Sequence, residues 1–106
     1  MKTVLVFVAL LCLAAWTALA QGRDPIRHGR ALAKEFCARC HAVSLYDRSR
    51  NREAPPLRTL GRTVDLDQFA RALSRGLPST HPDMPQFKFH LDDARDLRDY
   101  LRTIQE

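Results

Sequence analysis

The chain has 106 residues, 45% of them apolar, and a formal net charge of +5, but 17 of the apolar residues stand in the first 20 and only 31 are spread over the remaining 86. A region of 86 residues makes one domain whose thin core needs some further staple; a second domain is excluded, and so is a polytopic membrane protein, because no apolar run after residue 20 approaches the roughly 18 residues that span a bilayer. The basic excess is not interleaved with stacking aromatics and no nucleic-acid fold motif is present, so nucleic acid is not an expected partner.

Residues 1–20 have the form of an export signal. Lys2 supplies the positive start, Val4 to Leu13 is almost wholly apolar, and Ala18-Leu19-Ala20 has the small-x-small pattern that precedes cleavage. Cleavage after Ala20 gives a mature domain of residues 21–106 outside the cytoplasmic membrane, in the periplasm; left uncleaved, the same segment is a single membrane anchor. Cys12 follows Leu11, not a small residue, which speaks against lipid modification. Removal of residues 1–20 leaves two cysteines, Cys37 and Cys40, and excludes a general disulfide scaffold.

The mature chain reads as all-α. A first helix opens at Asp24-Pro25, an acceptor side chain followed by the residue best suited to the first helical position, and runs toward Cys40. A second opens at Asp65, repeats Leu66, Phe69, Ala70, Leu73 and Leu77 at spacings of three and four, and stops at Gly76 and Pro78. A third starts near Asp92 and buries Ala94, Leu97, Leu101 and Ile104, with Tyr100 beside that stripe. Between them lie irregular stretches at 42–64 and 78–91, long for so small a domain and therefore expected to wrap something.

Cys37-Ala38-Arg39-Cys40-His41 is the most specific motif in the chain and reads as a covalent haem attachment site. Two thiols three residues apart at a helix end face the same side and can bond the two vinyl groups on one edge of a porphyrin, while the next residue brings an imidazole to the iron. A redox dithiol would be expected beside a strand-helix unit, and a zinc site would want a second pair of ligands; neither is visible. A haem would also be the staple that the thin core requires, with Leu57, Phe69, Leu73, Phe87 and Leu97 as candidates for its pocket.

With this motif the sequence resembles the class I cytochromes c over residues 24–104. Gly29 matches the small residue where the family's first and last helices cross, and Cys37, Cys40 and His41 match the attachment site and proximal iron ligand. Ala54-Pro55-Pro56-Leu57 resembles the proline-leucine loop, with the Pro55 carbonyl accepting the proximal imidazole N–H. Met84-Pro85 resembles the distal ligand loop, and Leu97, Tyr100 and Leu101 the packing face of the last helix. Two departures stand out: Ala33 replaces an aromatic that many members carry, with Phe36 appearing instead, and the mature chain has no tryptophan. Neither Arg62 nor Tyr46 is assigned as a propionate partner in its place.

The resemblance implies about three main helices and two long loops around one haem c, with His41 and Met84 as axial ligands. It implies a single-electron carrier between respiratory or dehydrogenase partners, not an enzyme. The competing readings are a haem enzyme or sensor with a labile sixth ligand, and a permanent electron-transfer subunit of a larger oxidoreductase. Met84 is the one methionine after Met1, and it stands before a proline in a loop, poor geometry for core filling. His81, three residues earlier, is also a possible ligand in type, but it precedes Pro82 and is held extended. Residues 21–62 carry ten basic and four acidic groups. Arg39, Arg48, Arg50, Arg52 and Arg58 are accordingly expected to form a positive rim for acidic redox partner proteins, the chain itself being a monomer.

Overall fold

A computed structural model describes residues 1–19, 22–79 and 81–106, with the side chains of the first helix described as far as Trp16. Ala20 and Gln21, which flank the expected cleavage point, and Thr80 lie outside the described residues. The described residues form helix α1 (Lys2–Leu19), α2 (Pro25–Phe36), a 3-10 helix (Leu57–Arg62), α3 (Leu66–Arg75) and α4 (Leu91–Ile104), and no strand. The large apolar residues of α1, from Val4 to Trp16, are exposed. Among the described residues no helix is long and apolar enough to cross a membrane.

The helices begin where local chemistry supplies partners for their free amides. The Asp24 carboxylate accepts the N–H groups of Ile26 (3.0 Å) and Arg27 (3.2 Å), with Pro25 in the first helical position. Asp65 accepts from Gln68 at 2.8 Å. Helix α3 ends at Arg75 because Gly76 adopts a positive φ of 98°, which leaves Leu77 outside the helix. Helix α4 starts at Leu91, a residue earlier than Asp92, with Asp92 and Asp93 at the positive end of its dipole. The stretch expected to be irregular between 42 and 64 contains the 3-10 helix, and α2 stops at Phe36, short of the two cysteines.

Helix α4 is the hub, packed against α2, α3 and the 3-10 helix. Its Leu97, Tyr100, Leu101 and Ile104 meet Leu32 and Ala33 of α2, Ala70 and Leu73 of α3, Leu57 and Val43 in one buried cluster. The α2–α4 crossing is so close that a Cβ on Gly29 would sit on the Asp96 carbonyl and 2.8 Å from Tyr100 Cβ. The Tyr100 hydroxyl then reaches across to donate to the Val43 carbonyl at 2.5 Å, tying α4 to the loop after the cysteines. Gln105 closes the other end, accepting from Gly61 N–H (2.7 Å) and donating to the carbonyls of Leu57 (3.0 Å) and Leu101 (2.8 Å).

Gly29→Ala should therefore force α2 and α4 apart and lower stability by about 1–3 kcal/mol, the cost of overpacking a dense interior against backbone that cannot yield. The urea midpoint measures it, and a midpoint equal to that of the unsubstituted protein would show that the helices cross elsewhere.

Candidate haem attachment site

The two cysteines close the C-terminal end of α2. Cys37 N–H bonds to Ala33 O at 2.9 Å, and the chain then tightens, with Cys40 N–H (3.2 Å) and His41 N–H (2.9 Å) both donating to Cys37 O. Both thiols are free and half-buried. Burial pushes the Cys37 thiol up to about 11. A redox dithiol needs the opposite, a helix N-terminus or a cation that lowers the attacking thiol, and Cys37 stands at the C-terminal end of α2 instead.

His41 follows with its Nδ1 at 2.7 Å from the Pro55 carbonyl. A carbonyl only accepts, so Nδ1 carries the proton and Nε2 keeps its lone pair for a metal. The intervening loop is fixed by its own polar residues: Ala42 N–H donates to Ser49 Oγ (2.9 Å), Asn51 N–H to Cys40 O (3.1 Å) and Leu57 N–H to Ala42 O (2.9 Å).

Asp47 organises the same loop by accepting from Val43 N–H (2.9 Å), Ser44 N–H (2.8 Å) and the Ser44 hydroxyl (2.8 Å). Burial works to raise its carboxyl, but these donors outweigh burial and hold it below the ordinary carboxylate value. A carboxyl depressed in the folded state binds protons less readily there than in the unfolded chain. Its contribution is complete above the unfolded value near 4 and is lost as pH falls through the folded one. Asp47→Asn should flatten that acid limb of the stability profile, seen by urea titration at pH 6 and pH 3; an unchanged slope would remove Asp47 from the account.

Met84 is half-buried in a turn whose closing bond runs from its own N–H to His81 O at 3.2 Å. The turn is followed by a return to the core, with Leu77 N–H donating to Phe87 O (3.3 Å) and Phe89 N–H to Leu73 O (3.0 Å). Phe87 and Phe89 stack edge-on against Phe36, ring centroids 5.7 and 5.2 Å away, at the end of α2 beside Cys37. The aromatic displaced from position 33 to Phe36 thus packs here, while Ala33 is fully buried under α4.

Of the five apolar residues expected to line a pocket, Leu57, Leu73 and Leu97 are already covered by helix packing. Phe69 and Phe87 are half-buried, as are Phe36, Leu60, Leu66, Leu77 and Phe89. Two surface concavities, about 380 and 320 Å³, lie along α3 and α4 and include none of Cys37, Cys40, His41 or Met84. Arg58 does not belong to the expected rim: its guanidinium turns inward to Ser44 O (3.3 Å) and Asp47 O (3.0 Å) and pairs with Glu106 (3.2 Å).

The donor set fits a haem. Two free thiols share a helix end, an imidazole beside them has one nitrogen already spoken for, and several large apolar side chains around the core remain only half covered. Among the described residues no buried polar side-chain atom lacks a partner, so nothing polar competes for an apolar plate.

No family model and no solved structure matches the chain. Among curated proteins it is similar to cytochrome c-552 of Bradyrhizobium diazoefficiens, 30% identical over 78 residues, which cover 74% of this chain and 73% of that protein. With similarity over that much of both chains, the chain belongs to the c-type cytochromes.

Proposed function

We propose that the chain is a monomeric single-electron carrier with the class I cytochrome c arrangement, its mature domain of residues 21–106 exported to the periplasm. The observation that carries this reading is the His41–Pro55 hydrogen bond, which orients an imidazole with a free Nε2 directly after two free thiols. Haem c supplies a reversible one-electron iron couple when bound. Cys37 and Cys40 would anchor it covalently, His41 Nε2 and the Met84 thioether would be its iron ligands, and the Pro55 carbonyl holds the imidazole proton on Nδ1. A thioether and an imidazole as ligands would favour the reduced state, and the partly buried apolar side chains around the core would shield the group from water. With both iron ligands supplied by the protein, the group would carry an electron and make or break no bond of a substrate. The close α2–α4 crossing at Gly29 supports the class I arrangement.

Intact mass and optical spectra of the exported protein test the reading together. The expected mass is that of residues 21–106 plus one haem, with a low-spin spectrum in both oxidation states. A high-spin site that reacts with peroxide would instead mark a haem enzyme or sensor, and retention of residues 1–20 in membranes would mark an anchored carrier.

The partner is expected to be an acidic redox protein. Arg39, Arg48, Arg50 and Arg52 are exposed, and among the described residues none of them pairs with a carboxylate. The acids nearest in sequence are engaged elsewhere, Asp47 by amides and Glu53 by His81. Tyr46, two residues before Arg48, is 93% exposed. Electron transfer to such a partner should slow as ionic strength rises, and reversing Arg48 and Arg50 to Glu should cut the low-salt association rate by about tenfold or more. Rates that stay flat across salt would remove the charged rim from the docking account.

A further inference from the structure

We infer that Glu53 and His81 form a clip that holds the Met84 turn against the attachment loop and sets how readily an outside ligand reaches the position Met84 fills. The inference rests on the reading of Met84 as an axial ligand. His81 Nε2 lies 2.6 Å from Glu53 Oε2, and Nδ1 accepts the Asp83 N–H at 3.3 Å. The ring is thus fully used, donating outward and accepting from its own turn.

Both ends of the clip are tied closely to the site. On one side the His81 carbonyl receives the Met84 N–H (3.2 Å) and the His81 N–H is held by Ser79 Oγ (3.1 Å). On the other, Glu53 N–H donates to Asn51 Oδ1 (2.9 Å), Asn51 N–H bonds to the Cys40 carbonyl (3.1 Å), and Pro55, which receives His41, is two residues on. Among the described residues of the segment 78–86, the Glu53–His81 pair is the one hydrogen bond that leaves the segment. Its three prolines, Pro78, Pro82 and Pro85, stiffen the segment but donate nothing to the rest of the fold. Among its described residues the loop is therefore a stiff flap held to the rest of the fold by this one polar tether.

The tether is weak by construction. The Glu53 side chain is 74% exposed and that of His81 37% exposed, the setting in which a surface contact to a carboxylate contributes little to global stability. A weak bond at this tether governs opening of the flap while leaving the helices alone, because local opening draws on the local contacts and not on the whole core.

The test uses the full haem-loaded chain with Glu53→Gln, His81→Gln and the double variant. Cyanide binding to the oxidised protein should quicken about fivefold in each single variant, the upper end for an exposed pair, and no further in the double. Amide exchange at Asp83 and Met84 should quicken in parallel, while the urea midpoint and the spectrum without cyanide stay as they were. Unchanged cyanide rates in Glu53→Gln, or effects of the two substitutions that multiply, would overturn the clip. Failure of the underlying ligand assignment shows separately, as a Met84→Ala spectrum identical to that of the unsubstituted protein.

Discussion

Replacing Cys37 and Cys40 together by Ala should abolish haem that survives denaturing electrophoresis, and should leave little folded protein in the periplasm. Thioether bonds persist when the chain unfolds, whereas axial ligation does not, so the gel separates attachment from mere binding. The folding consequence follows from the core. Helix α4 buries Leu97, Leu101 and Ile104 against α2 and α3, but Phe36, Leu60, Leu66, Phe69, Leu77 and Phe89 around that cluster stay half covered. Completing the burial of six such side chains is worth several kcal/mol at about 25 cal/mol per Å², a large share of the roughly 5–15 kcal/mol that holds a domain folded. Each single Cys→Ala variant keeps one anchor and should retain haem in reduced yield. A haem-stained band in the double variant would sink the assignment of these residues.

Much of this was legible because it is local. Asp24-Pro25 and Asp65 announce helix starts through partners two or three residues away, and the stripes of α3 and α4 repeat within one helix, so spacing alone finds them. Cys37, Cys40 and His41 are adjacent and need no tertiary information to be read. Pairings between distant segments were not legible. Asp96 looks like any solvated acid on α4, yet it is buried, with His28 Nδ1 at 2.8 Å and the Arg23 guanidinium bound to it as well. Those partners stand some 70 residues earlier, and no periodicity links them. With Asp93 they form a compact His-Asp-Asp group, and Arg23 already supplies its cation. Arg58 misleads for the same reason: it stands in a basic run, but the carbonyls that capture it belong to a loop that only the folded chain brings near. Leu57, Leu73 and Leu97 have the character of pocket residues, and helix packing claims them first because α4 is the hub. Glu53, an exposed acid in a loop, offered no sign that it meets His81.

Met84→Ala should open the sixth iron position, lower the reduction potential and admit cyanide or peroxide readily, while His81→Ala leaves spectrum and potential nearly unchanged. The two residues stand three apart in one turn, and their side chains are placed differently. His81 spends Nε2 on Glu53 and Nδ1 on Asp83 N–H, so ligation would require it to abandon both bonds and an extended backbone fixed by Pro82. Met84 gives up nothing, since its thioether is a weak acceptor with no competing claim in water. Removing a soft thioether withdraws the preference for the reduced state, which is why the potential falls. The kinetic effect is the larger. A closed site that opens in 0.1–10% of molecules admits ligand at that fraction of the open rate, so deleting the closing group should speed cyanide binding by about 10- to 1000-fold. His81→Ala releases the Glu53 tether and the acceptor of the Asp83 N–H, both in an exposed turn, and should stay near the fivefold expected of Glu53→Gln. If His81→Ala opens the iron and Met84→Ala does not, the ligand is His81, and the Glu53 bond is then a competitor for that ring instead of a clip.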